Sequence, residues 1–130
     1  MKVKTSELIG SALDWAVEEA QGYGDRYLEF WNMGGDKRLI YCQVGHSPST
    51  HWSQGGQVIE REHICVLAPI VRRIGAERHA FEVVYWRALK QSDEDAPCVH
   101  GRGHTPLIAA MRCYVASKLG DEVDIPEELI

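Results

Sequence analysis

The residues best equipped for chemistry fall in two blocks. Ser49-Thr-His-Trp-Ser-Gln-Gly-Gly56, leading into Glu60-Arg61-Glu62, brings together the hydroxyls of Ser49 and Thr50, the indole of Trp52, the amide of Gln54, the bare backbone of Gly55 and Gly56, and the charges of Glu60 and Arg61. An indole can stack on a base and an amide can read its edge, while backbone amides without a Cβ can approach a phosphate. The competing reading is a structural loop with Trp52 plugged into the core and glycines permitting a tight path. The second block is Gly101-Arg-Gly-His-Thr105, which runs into a helix start. Free amide protons and the positive end of the dipole suit an anion there. His104 and Thr105 would stand at its mouth, with Arg112 two turns on as a planar donor fork. The plainer alternative has Thr105 acting only as a cap and Arg112 packed or paired.

Other constellations are weaker. Cys98, His100 and His104 form a C-x-H-x₃-H pattern, but no fourth ligand has motif spacing, so no metal site and no cofactor are expected. Cys42, Cys65, Cys98 and Cys113 lie far apart without a CxxC pair and read as reduced structural thiols. The sequence contains no nucleophile elbow, no Cys–His signature and no acidic metal cluster of the kind hydrolysis through paired magnesium ions would use. Asp93, Glu94 and Asp95 read as a solvated loop, and Glu60 and Glu62 around Arg61 as an ion-paired surface. No catalytic residue is assigned. An acid/base site still arises if those two carboxylates and the arginine converge in a cleft.

These side chains need a scaffold, and its outline is α+β. After a strand-like Lys2-Val3-Lys4, Leu8, Ile9, Ala12, Leu13, Trp15, Ala16 and Ala20 fall on one helical arc with Asp14 and Glu18 opposite, predicting a helix over 6–20 capped by Thr5 or Ser6. Arg26–Asn32 and Arg38–Val44 read as strands, in a hairpin across Gly34-Gly35-Asp36-Lys37. His46 to Gly56 reads as a long irregular stretch, and Val58–Glu62 as one helical turn. Ile64–Ala68 is a short strand ended by Pro69. His79–Leu89 has apolar residues on both faces, predicting a central strand. Gln91–His104 reads as an exposed loop, and Asp121–Ile130 as an acidic tail.

The clearest element is Thr105–Leu119. Thr105 is placed to cap, Pro106 takes the first helical position, and Gly120 lies just beyond the end. Leu107, Ile108, Met111, Tyr114, Val115 and Leu119 form a broad apolar arc. The remaining face is small (Ala109, Cys113, Ala116, Ser117) rather than charged, so it should lie close against the sheet or a second subunit. That makes a homo-oligomer an expectation.

The sequence therefore predicts one α+β domain over residues 1–130, with a mostly antiparallel sheet of about four to five strands packed against an N-terminal and a C-terminal helix. A composition of 45% hydrophobic and 25% charged residues fits an ordinary folded chain. The net charge of −5 argues against a nucleic-acid binder working through bulk phosphate neutralisation. No apolar run reaches the roughly 18–20 residues of a membrane span, and the start lacks a signal-peptide core, so a cytoplasmic protein is expected.

Two blocks, Ser49-Thr-His-Trp-Ser-Gln-Gly-Gly-Gln-Val-Ile-Glu-Arg-Glu62 and Thr105 to Val123, resemble the NinX family of lambdoid phages, and Met1–Val17 is similar as well. The family's first block usually reads Ser-Thr-Asp-Trp-Ala-Gln-Gly-Gly-Pro-Ile-Ile-Glu-Arg-Glu. This chain departs from it at His51, Ser53, Gln57 and Val58. The resemblance implies a small phage or prophage accessory protein and brings no established catalytic residues. The leading functional expectation is binding and sequestration of a small, nucleotide-like phosphorylated ligand to counter host defence, between Ser49–Glu62 and the helix start at Gly103. A module that inhibits a host protein through exposed aromatics such as Trp31 or Trp52 is the alternative, and a hydrolase acting on an ADP-ribose-like bond is a weaker third.

Overall fold

The computed structural model describes residues 1–22, 47–76, 80–91 and 94–130. The strands expected at 26–32 and 38–44, together with Trp31, Cys42, His79 and Asp93, lie outside the described residues. Within them the chain runs through β1 (Lys2–Lys4), a 3-10 turn (Thr5–Glu7), α1 (Gly10–Ala20), α2 (Trp52–Arg61), β2 (Cys65–Arg73), β3 (Phe81–Lys90), β4 (Val99–Gly103), α3 (Pro106–Leu119), β5 (Glu122–Asp124) and a final 3-10 turn (Glu127–Leu129). The fold is α+β, with all described strand pairs antiparallel. β2, β3 and β4 form a sheet in that order, and β1 pairs with β5 in a separate ribbon.

α3 forms as its end signals require. Thr105 Oγ1 accepts from Ile108 N at 3.1 Å, Pro106 opens the first turn, and Gly120 ends the helix at φ 89°. Leu107 to Val115 are buried with the sole exception of Arg112. The apolar arc meets α1, whose Leu13, Ala16 and Val17 are fully buried, and Leu8, Val58, Ile64 and Ile125 complete the core. Each fully buried Leu, Val or Met in it contributes roughly 1.5–3 kcal/mol.

The small face of α3 is covered by the chain's own sheet. A Cβ on Gly101 would overlap the Ala109 carbonyl oxygen and stand 2.6 Å from Cys113 N, and one on Gly103 would stand 2.5 Å from Ile108 Cγ2. Cys113 Sγ donates to Val99 O at 3.3 Å across the same contact. The face that prompted the expectation of a second subunit is thus satisfied within one chain.

Several local expectations are corrected. The first helix begins at Gly10 rather than Ser6, and neither Thr5 nor Ser6 caps it. Thr5 is buried instead, its amide donating to Asp121 O (2.8 Å) and its hydroxyl to Gly120 O (2.6 Å), which ties the N-terminus to the end of α3. Asp14 and Glu18 are buried rather than facing solvent, and Asp14 Oδ1 accepts from Ser49 N in the turn before α2 at 2.9 Å. Pro69 does not end β2. Among the described residues β2 is an edge strand, where a missing N–H is tolerated, and Pro69 sits beside its register shifts at Leu67/Ile70/Val71, with Arg87 donating to the neighbouring Ala68 carbonyl. Residues read as loop before His104 contain β4, and the acidic tail contains β5, with Val123 and Ile125 buried. β3 is the central strand as expected, but Phe81 and Val83, at its far end, are about half exposed (52% and 48%) rather than covered.

The two kinds of glycine contact make a direct contrast. Gly101→Ala forces β4 and α3 apart and should cost ~1–3 kcal/mol as an overpacked site. Gly56→Ala, in the interior of α2 with nothing near its missing Cβ, should be neutral or stabilise by ~0.5–1 kcal/mol. Urea unfolding followed by tryptophan fluorescence checks both, and equal midpoints for the two variants would contradict the packing described.

Candidate functional site

The Ser49–Glu62 block is not an open loop. Pro48 and Ser49 are buried in the turn before α2, and Ser47 N donates to Gln54 Oε1, closing the turn onto the helix. Ser49 is 2% exposed, and among the described residues its Oγ has no hydrogen-bond partner. Thr50 is exposed, with Oγ1 3.1 Å from His51 Nδ1. Trp52 begins α2 and is 57% exposed, so it neither plugs the core nor closes a cavity. Gly55 and Gly56 are helical. The Gly55 amide donates to His51 O at 2.9 Å, so it is not free for a phosphate. The missing Gly55 Cβ lets α2 lie against the Pro48 carbonyl and Leu107, the point where this block meets the start of α3.

Arg61 and Glu62 belong to a network that joins helices to the sheet. With its amide turned to suit both neighbours, Gln21 accepts from Arg61 Nη2 at 2.7 Å and donates to Glu18 Oε1 at 3.1 Å. Arg61 Nε also reaches Glu62 Oε2 at 3.3 Å, and Lys90 and Lys118 stand 3.6 and 3.7 Å from the other carboxylate oxygen. Lys90 Nζ donates to the Glu62 carbonyl at 2.7 Å. Burial pushes the Glu62 carboxyl up, but the Arg61 hydrogen bond and the charges of Lys90 and Lys118 together outweigh it and hold the group below its ordinary value. The ion-paired reading of Arg61 and Glu62 fits this geometry, while Glu60 is exposed.

At the start of α3, Thr105 spends its oxygen on the cap and His104 is exposed. Arg112 is placed differently. Its Nε donates to Leu8 O at 2.8 Å and its Nη1 to Arg102 O at 2.8 Å, bridging the segment before α1 to β4. A guanidinium carries five N–H donors. Two serve these carbonyls, and among the described residues no further acceptor meets the others. Burial lowers the Arg112 pKa, yet a guanidinium remains charged at neutral pH.

Arg112 lines a cleft of about 370 Å³. It is also lined by Lys4, Thr5 and Ser6, by His100, Gly101 and Arg102 of β4, by Ala116, and by Asp121 and Glu122 beyond α3. The Arg102 guanidinium lies 4.9 Å from the centre of the Tyr85 ring. Of the residues singled out in the sequence, the cleft includes Arg112 and none of Ser49, Thr50, Trp52, Gln54, Gly55, Gly56, Glu60, Arg61, His104 or Thr105. Those it adds were hidden because β4 and β5 read as loop and tail. The alternating Gly101-Arg102-Gly103 beside a helix with a small face was the available signal. Cys98, His100 and His104 do not gather, and among the described residues no group of three such side chains is placed to hold a metal.

A family model described as bacteriophage P22, NinX matches residues 4–118. The chain belongs to this family. The NinX match spans Lys4, Arg102 and Arg112, while Asp121 and Glu122 lie just beyond it. A search of curated proteins found no match. This NinX chain is thus a phage accessory protein, and among its described residues no helix is long and apolar enough to cross a membrane.

The Glu62 network sets a pH test. A carboxyl held below its ordinary 4.5 in the folded state adds stability that is present above that value and disappears as pH falls through the folded value. Glu62→Gln should therefore cost roughly 1 kcal/mol at pH 7, and the gap to the parent should close in denaturation series run below about pH 4.5. A gap that stays constant with pH would mean that the carboxylate charge is not what matters.

Proposed function

We propose that this NinX protein binds and sequesters a small, nucleotide-like phosphorylated ligand in the host cytoplasm, and so counters a host defence signal, with the Arg112 cleft as the binding site. The observation that carries the reading is Arg112 itself. It is held in place by two backbone carbonyls, lies at the wall of a cleft, and keeps N–H donors unmatched among the described residues. A guanidinium fixed in this way is pre-organised, since little side-chain freedom remains to be lost on binding a phosphate. Lys4 lines the same cleft and adds a second cation, beside the carboxyl-bearing Asp121 and Glu122. Sequestration asks only for binding, and no reacting group has to be assigned.

A second reading, a module that captures a host protein, draws on the exposure of Trp52 at 57% and of Phe81, Val71 and Val83 along β2 and β3. Exposed apolar groups in a cluster favour a protein partner.

The two readings separate in one experiment. The protein is incubated with a nucleotide extract, washed, denatured, and its released small molecules are identified by mass spectrometry. A species retained at protein stoichiometry by the parent, and by Trp52→Ser, but lost in Lys4→Glu and in Arg112→Lys, each shown to be folded by circular dichroism, is the expected result. Nothing retained by the parent would sink the sequestration reading.

A further inference from the structure

The β2–β3–β4 sheet has a face turned away from α3. Gly101 and Gly103 lie against α3, and Ala88, directly opposite Gly101, is 1% exposed. Strand alternation therefore turns Arg87, Leu89, His100 and Arg102 to the other side, where Arg87 stands directly opposite Arg102. Like charges so placed destabilise a sheet. The two side chains turn apart. Arg87 donates through Nε and Nη2 to Ala68 O of β2, at 3.3 and 3.0 Å, and the Arg102 guanidinium lies over the Tyr85 ring, 4.9 Å from its centre. Among the described residues neither guanidinium meets a carboxylate, and Glu82, the one acidic residue of these three strands, pairs with Arg72. His100 and Arg102 are exposed, and Tyr85 and Arg87 are half-buried.

We infer that this face binds single-stranded nucleic acid, with Arg87 and Arg102 on its phosphates and a base stacked on the Arg102–Tyr85 pair. Two uncompensated arginines suit an anion, and a guanidinium laid on a ring turns its second plane outward, where a base can stack. Only a strand with unpaired bases offers both contacts at once. In a duplex the bases are already stacked on one another, and an acidic peptide answers the charges without supplying a π-face. The carbonyl that holds Arg87 leaves it little freedom to lose on meeting a phosphate. In a chain of net charge −5 the patch is local, so few phosphates are engaged and the salt dependence is shallow. The face is distinct from the Arg112 cleft, because Arg102 gives its carbonyl to Arg112 and its guanidinium to Tyr85.

Fluorescence anisotropy of short labelled RNA and DNA strands tests it, with a DNA duplex of the same length and oligoglutamate as competitors and circular dichroism as the check that each variant is folded. At least one single strand should bind saturably, and its log affinity should fall against log salt with a slope of about −1.4, two phosphate contacts at roughly −0.7 each. Arg102→Lys keeps the charge without the plane and should weaken binding about fivefold, and Arg102→Ala about tenfold or more. Lys2→Ala removes a cation from the β1–β5 ribbon and should change nothing. The competition and the salt slope use the parent protein, so they decide the matter even where a variant fails to fold. Absence of binding by either strand, or a duplex or oligoglutamate that competes as well as unlabelled strand, would overturn the inference. So would Arg102→Lys binding as tightly as the parent, or Lys2→Ala losing as much as Arg102→Ala. None of these outcomes touches the retention of small molecules by the cleft.

Discussion

The close approach of β4 to α3 is the constraint on which the rest of the structure depends. Without side chains at Gly101 and Gly103, the strand lies directly on the turn of helix carrying Ala109 and Cys113. Glycine is costly in a strand because it loses the most conformational freedom on folding. The contact offsets that cost by burying the small helix face, and it brings the Arg102 carbonyl to within reach of Arg112. Arg112 then reaches on to Leu8 O, and Thr5 to Gly120 O and Asp121 O. The N-terminal segment, β4 and the end of α3 are thereby held around one cleft.

Polar groups inside this fold do two different jobs. Asp14, Glu18, Gln21, Arg61, Glu62, Lys90 and Lys118 pair among α1, the turn before α2, α2, β3 and α3, so their charges are answered by one another or by backbone. Such a network orients elements more than it adds net stability, since desolvation offsets much of the attraction. Arg112 is answered only in part, and that difference is why the cleft, rather than the Glu62 network, is the place to look for a ligand.

How much was legible in the sequence followed from how local each determinant is. α3 carries its own cap, first-turn proline and terminal glycine, so its limits could be read without knowing its neighbours. The family blocks were legible for the same reason, as contiguous residues. α2 was read mostly as loop because glycines and serine are poor helix formers, but Gly55 is there to admit Pro48 and Leu107, a contact that sequence does not display. β4 was missed because glycine argues against a strand until the helix beside it is known. The site moved accordingly. Arg112 was named from its position on the helix, whereas Lys4, Arg102 and Asp121 become its neighbours only through pairing between distant segments.

The central claim is that Arg112 is a fixed guanidinium with donors kept for a phosphate. Nitrogen-detected NMR of the arginine side chains during titration with inorganic phosphate and nucleoside monophosphates reads this directly. The Arg112 Nε and Nη resonances should be sharp before addition, as slow rotation in a held fork requires, and should shift saturably while those of exposed Arg73 stay in place. Arg112 signals that are averaged like those of Arg73, or that move only in parallel with every other arginine as salt is added, would contradict the account.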